Sequence, residues 1–271
     1  FAYGGGSIKQ NGVYEQVKRS LANVKVFEFS GIEANPEYET LMKAVKIVRE
    51  QYVDFILAVG GGSVIDGCKF IAHAALFSPE RDPWEILTKR LACPALPIGT
   101  VLTLSATGTE MNSFSVVSRR ELKEKRDFSS ENSYPKFSIL DPEFTYSLPT
   151  AQLINGIIDP FVHVTEQYLT YEVNAPLQRQ QAESILKTLI EEGPKALKQP
   201  HDYDTRANLM WCGTQALNGL VGVGVPQDWA THMIGHVLTA RYNLDHAVTL
   251  AIVLPALLRT LFEEKKSCLV R

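Results

Sequence analysis

The 271-residue chain carries 27 Lys+Arg against 30 Asp+Glu, a formal net charge of −3, which argues against a nucleic-acid-binding or polybasic membrane-surface protein. Apolar residues at 45% and charged residues at 21% describe a folding chain rather than a disordered one, and the length suggests about two domains. No apolar run reaches the ~18 residues of a spanning helix, and four scattered cysteines (Cys68, Cys93, Cys212, Cys268) without a CxxC spacing point to a reduced, cytoplasmic setting.

In chain order, Phe1-Ala2-Tyr3 reads as the end of a strand that runs into Gly4-Gly5-Gly6-Ser7, followed by a helical stretch over residues 13–22. Residues 24–29 alternate with the period of a strand, and residues 38–49 place Leu41, Val45 and Val48 at helical spacing. Phe55-Ile56-Leu57-Ala58-Val59 is a continuous apolar run of the kind buried on both faces of a parallel sheet. It ends at Gly60-Gly61-Gly62-Ser63 and passes into a helix through Phe70 and Ala74; short strands over 95–101 and 137–140 complete the half. Strands alternating with helices predict a mostly parallel sheet covered on both faces. From about Pro149 strand-like segments vanish, and helical periodicity fills residues 150–172, 176–197, 203–221, 226–241 and 246–262. The expected organisation is α/β plus all-α, with one domain over residues 1–147 and a helical one over 148–271. Because the chain opens without Met and stops just past an apolar helix pattern, both ends are expected to be incomplete.

Each Gly-Gly-Gly-Ser follows a strand and opens a helix. Glycines let a backbone approach a pyrophosphate, and the free N–H groups of a helix start favour anions. Gly61, Gly62 and Ser63 therefore read either as a phosphate cradle or as a tight βα turn, with Asp66 one turn later placed to orient a ribose or a nearby polar group. The pattern is not G-x-G-x-x-G. At the first turn, Gly4, Gly5, Gly6 and Ser7 are followed by Lys9, and no acidic residue stands there to bind a ribose 2′-OH. Donors without negative charge suit a 2′-phosphate, favouring NADP over NAD; the alternative is that Lys9 is a solvated helix-start residue.

Chemistry-bearing residues concentrate in the helical half. Asp159 and His163 are spaced i, i+4, about 6 Å apart on one helix face. His232 and His236 repeat that spacing, and His246 opens the next helical pattern. One such pair is more often structural, but two in one helical region point to a metal. An Asp with three His suits Fe(II), Zn(II), Co(II) or Mn(II). His73 reads as a helix-face histidine and His201 as a loop residue.

With these residues the chain resembles the iron-containing (group III) alcohol dehydrogenases, in the butanol dehydrogenase and NADPH-dependent aldehyde reductase branch. The resemblance rests on Gly60 to Asp66, on Leu102-Thr103-Leu104-Ser105-Ala106-Thr107-Gly108-Thr109-Glu110, on Leu140-Asp141-Pro142, on the Asp159/His163 segment and on residues 225–232. It implies metal ligation by Asp159, His163, His232 and His246, one divalent ion (Fe(II) or Zn(II)), and His236 near the nicotinamide without ligating. It further implies cofactor contacts by Thr103, Thr107 and Lys125, and NADP(H) in preference to NAD(H). The implied fold is a dinucleotide-binding parallel-sheet domain followed by a helical metal-binding domain, the dehydroquinate synthase-like architecture. The implied substrate is a primary alcohol/aldehyde pair, and the implied assembly a homodimer. Two departures stand out: the family's chains begin with a short β-hairpin ahead of Tyr3 and continue well beyond the last ligand.

Two rivals have distinct signatures. A non-redox lyase of the same architecture needs basic residues around an anionic substrate, whereas Phe161, Trp229, Met233 and Leu238 flank the ligand segments here. A helical His/Asp phosphohydrolase would need no nucleotide-binding half.

Overall fold

The computed structural model describes residues 1–270. The chain divides into two compact units, one of Phe1–Leu104 with Thr109–Ser147, the other of Ser105–Gly108 with the chain from Leu148 onward.

The first unit contains strands β1 (Ala2–Tyr3), β2 (Ile56–Gly60), β3 (Ile98–Leu102), β4 (Phe114–Arg119), β5 (Glu124–Ser129) and β6 (Phe137–Leu140). Its helices are α1 (Ser7–Gln10), α2 (Val13–Ser20), α3 (Tyr38–Glu50), α4 (Gly62–Leu76) and α5 (Glu85–Thr88). β1, β2, β3 and β6 form a parallel sheet in that order, with Tyr3 opposite Val59, Val59 opposite Val101 and Leu102 opposite Leu140. Their apolar runs follow from burial on both faces, since βα crossovers cover a parallel sheet with helices. α4 is buried from Gly62 to Ala74 apart from Ser63. Gly67 lets α3 close on it, because a Cβ there would meet Leu41 Cδ2 at 2.8 Å.

Residues 24–29, expected as a strand, make a single parallel bridge, Phe29 to Ala2, at the outer edge of β1. Tyr3 N donates to Phe29 O (3.0 Å) and Phe29 N to Phe1 O (2.9 Å). The chain thus leaves β1 on one side and returns as β2 on the other. That reversal of strand order between neighbouring parallel strands is where open α/β sheets bind ligands, outside the carboxyl ends of the strands. Both glycine turns emerge there.

The antiparallel hairpin of β4 and β5 does not appear in the sequence reading. Its turn carries no Gly or Asn; Lys123 takes the left-handed conformation, φ 53°. The hairpin is held instead by long-range bonds to α4. Val116 N donates to Asp66 Oδ2 (3.0 Å), Ser115 Oγ to Asp66 O (2.8 Å), and the buried Lys69 ammonium to Phe114 O (2.8 Å) and Asn112 O (2.8 Å).

The second unit is helical: α6 (Thr150–Tyr168), α7 (Pro176–Lys198), α8 (Tyr203–Leu217), α9 (Ala230–Tyr242), α10 (His246–Thr260) and α11 (Phe262–Leu269). α8 stops four residues before its expected end and α9 begins four after its expected start. Between them Gly219 and Gly224 take positive φ in an irregular segment. Leu153, Leu189, Ala196 and Leu209 pack α6, α7 and α8 together, and Val162, Leu250 and Leu254 seat α10 on α6. Among the described residues no single helix is long and apolar enough to cross a membrane; the pair α10 and α11 passes only jointly and is bent by 102°.

Candidate metal centre and nucleotide site

α6 presents Asp159 and His163 on one face, i and i+4, as the spacing requires, and both are buried. α9 contributes His232 and His236, and His246 is the first residue of α10. Gly235 allows those two helices to meet: a Cβ there would lie 2.8 Å from Thr249 Oγ1. Asp245, the N-cap of α10, accepts from Asn155 Nδ2 (3.2 Å) on α6, which anchors the start of α10 beside Asp159.

The result is a carboxylate ringed by imidazoles. Asp159 Oδ1 lies 3.6 Å from His163 Nε2, 3.8 Å from His232 Nε2 and 3.7 Å from His246 Nε2. Asp159, His232 and His246 each offer a donor atom within 4.8 Å of the others, and the His163 ring stacks on His232 at 4.7 Å between centroids. His236 flanks them, 5.4 Å from the His246 ring and 6.5 Å from the His232 ring.

A divalent ion fits these residues. Tetrahedral Zn(II) at 2.0–2.1 Å from each donor spaces the donors ~3.4 Å apart, and the three Asp159–His separations of 3.6–3.8 Å approach that spacing. His163 Nδ1 and His232 Nε2 are buried without a hydrogen-bond partner. Burial holds the His163 pKa down at about 4 against the pull of Asp159, which leaves the ring neutral, the form that ligates. For His232 burial acts in the same direction, but the nearby carboxylates of Asp159 and Glu166 outweigh it and raise its pKa.

Glu166 is the residue the sequence reading missed. It lies three residues beyond His163 on the face of α6 that carries both predicted ligands, and that i, i+4, i+7 series was the available signal. Its carboxylate bonds His232 Nδ1 through Oε2 and accepts from Thr231 N (2.6 Å) through Oε1.

In the first unit the two glycine turns lie side by side at the carboxyl ends of β1 and β2, with Thr103 following β3 and donating its N–H to Gly60 O (3.0 Å). Gly6 needs its freedom, at φ 102°, and a Cβ on Gly61 would meet Leu104 Cβ at 3.0 Å. Ser63 Oγ accepts from Asn35 N (3.2 Å), and Lys125 Nζ donates to Asn35 Oδ1 (2.9 Å), so Asn35 joins Ser63 to Lys125. The spacing of residues in the chain gave no hint of Asn35. Asp66 points inward: Thr109 Oγ1 donates to its Oδ1 (2.6 Å) and Val116 N to its Oδ2, so it engages nearby polar groups. Lys9 lies over the rings of Tyr3 and Tyr14, at 5.4 and 5.1 Å. Thr107 belongs to the short segment that packs with the second unit.

Comparison with known proteins matches residues 1–142 to the model of the iron-containing alcohol dehydrogenases and residues 153–269 to that of the family's C-terminal domain. The chain belongs to the iron-containing alcohol dehydrogenase family. It is 57% identical over 271 residues to the NADPH-dependent aldehyde reductase YqhD of Escherichia coli (strain K12), a match covering 99% of this chain and 70% of that one. It is 47% identical over 265 residues to the probable NADH-dependent butanol dehydrogenase 1 of Bacillus subtilis (strain 168), covering 97% and 68%. The crystal structure of Escherichia coli K-12 YqhD superposes with a TM-score of 0.98 over 99% of this chain and 69% of that one. That of the NADH-dependent butanol dehydrogenase A of Thermotoga maritima, 40% identical, gives 0.95 over 98% and 67%. A parallel-sheet unit and a helical unit in this order make up the dehydroquinate synthase-like fold of the family.

Proposed function

We propose that the chain is a metal-dependent oxidoreductase that transfers a hydride between NADP(H) and a primary alcohol/aldehyde pair. The observation that carries this reading is the ring of His163, His232 and His246 Nε2 atoms at 3.6–3.8 Å around Asp159 Oδ1. When bound, a divalent ion there supplies Lewis acidity towards a carbonyl or alkoxide oxygen, and a nicotinamide supplies or accepts the hydride. Asp159, His163, His232 and His246 hold the ion. His236, buried beside His232 and His246, holds the proton exchanged with the substrate oxygen, an acid–base role open to an imidazole.

Gly4, Gly5, Gly6 and Ser7, with Gly61, Gly62 and Ser63, take the pyrophosphate and adenosine ribose where strand order reverses. Thr103, Thr107 and Lys125 take the remainder of the cofactor, and Asp66 holds the β4–β5 hairpin beside it. Preference for NADP(H) is supported by the absence of an acidic residue among Gly4–Lys9 and by the name of the 57%-identical relative, an NADPH-dependent aldehyde reductase. Fe(II) and Zn(II) suit the one-oxygen, three-nitrogen donor set about equally. Four free thiols support a reduced, cytoplasmic setting, and the family resemblance extends the reading to a homodimer. The non-redox lyase and the phosphohydrolase are not favoured, because the 57%- and 47%-identical relatives are named as an aldehyde reductase and a probable butanol dehydrogenase.

The test is NADPH oxidation at 340 nm with a panel of short aldehydes, on protein first stripped of metal and then reloaded. Turnover that returns only with metal supports the reading; no metal-dependent turnover with any aldehyde overturns it.

A further inference from the structure

We infer that Glu166 is a positioning residue: its carboxylate dictates which ring nitrogen of His232 faces the metal, and the affinity of the site depends on that carboxylate. The inference rests on the proposed metal reading.

Glu166 is 5% exposed and faces two groups of α9 from α6. Thr231 N–H can only donate, and it donates to Oε1 at 2.6 Å. An ionised carboxylate can only accept, so His232 Nδ1 must carry the proton that bonds Oε2. That leaves the lone pair on Nε2, the atom 3.8 Å from Asp159 Oδ1. Fixing the tautomer of a ligating histidine through its distal nitrogen is the work such outer partners do at metal sites.

The same side chain sets the spacing of the helices. Thr231 lies in the first turn of α9, whose N–H groups have no intrahelical partner and gather the positive end of the helix dipole. A buried carboxylate from α6 satisfies that end. Asp228 N donates to Glu166 O (2.9 Å), which adds a backbone tie at the same place. Asp159 and His163, on the same helix as Glu166, are thereby registered against His232.

Only a carboxylate answers both donors. A Glu166→Gln side chain has one acceptor and one NH2. With its oxygen on Thr231 N–H, the NH2 donates to His232 Nδ1 and moves the ring proton to Nε2, which then cannot ligate. With its oxygen on His232, the NH2 confronts the Thr231 N–H.

The experiment is competition for Zn(II) between a chromophoric chelator and the full chain, wild type or Glu166→Gln, with Co(II) absorption spectra of both. Loss of the carboxylate should weaken Zn(II) binding about 10–100-fold and alter the Co(II) spectrum. Affinity within about threefold of wild type with an unchanged spectrum overturns the inference. Wild-type protein that fails to bind Zn(II) or Co(II) overturns the metal reading itself, a separate result. If Glu166→Gln does not fold, long-range 1H–15N correlation on the Zn(II)-loaded wild type decides the matter. A protonated His232 Nδ1 is expected, and a metal-bound Nδ1 with a protonated Nε2 overturns the inference.

Discussion

Acid should destabilise the first unit through a single buried ring. His73, on α4, has no exposed surface; its Nε2 lies 2.9 Å from Ser133 Oγ and its Nδ1 3.1 Å from Cys93 O. Burial pushes its pKa from the ordinary 6.5 to about 4, against a smaller lift from the backbone around Cys93. Between those values the unfolded chain binds a proton that the folded chain does not. Stability from this group is therefore whole above pH 6.5 and drains away as pH falls towards 4. The whole loss, reached once the folded ring protonates too, is about 3 kcal/mol, of which about 2 kcal/mol is already gone at pH 5. A His73→Gln variant lacks the titration. Urea unfolding of both proteins at pH 7, 6 and 5 should show wild type losing about 2 kcal/mol more than the variant between the extremes. His163, also held at about 4, contributes to both proteins alike and drops out of the difference. Parallel stability curves would refute a neutral His73.

His232→Ala should abolish metal binding, whereas His236→Ala should retain the ion and slow turnover by about 10²–10⁴-fold; metal analysis beside single-turnover kinetics separates the two. Lys69→Met leaves Thr109, Asn112 and Phe114 oxygens without their buried donor. It should cost about 3–5 kcal/mol of stability, and a loss below about 1 kcal/mol in urea unfolding would contradict the bonding described. Lys125→Ala removes the ammonium that reaches Asn35 beside Ser63. NADPH titrated against protein fluorescence should then bind about 10-fold more weakly or worse, with kcat much less affected.

The elements that were legible in the chain are those whose signal is local. Ile56–Gly60 and Ile98–Leu102 announce themselves by apolar runs because both faces of a central parallel strand are covered. Val13–Ser20 and Tyr38–Glu50 show helical spacing because each buries one face, Val13 and Val17 in the first, Leu41 and Val45 in the second. Residues 24–29 misled for a related reason: their alternation is real, but at the outer edge of β1 they form a single bridge, at Phe29, with Phe27 O accepting from Phe1 N (2.9 Å). The β4–β5 hairpin escaped because its turn uses Lys123 at positive φ instead of a residue that advertises it, and because its support comes from Asp66 and Lys69, some fifty residues earlier.

The candidate site divides along the same line. Asp159 with His163, and His232 with His236, are each one helical turn apart, so their shared faces follow from 3.6 residues per turn and could be read directly. That the two pairs meet, with His246 at the start of α10 completing the ring, depends on Gly235 admitting Thr249 and on Asn155 holding Asp245. By itself the sequence determined the residue types, their helix faces and the alternation of strand and helix that makes the first unit a parallel sheet. Tertiary structure alone decided that strand order reverses at the two glycine turns, that Asp66 turns inward to Thr109 and Val116, and that Glu166 faces His232. Periodicity sets which way a side chain leaves its own helix or strand. Which partner it finds depends on packing between segments far apart in the chain.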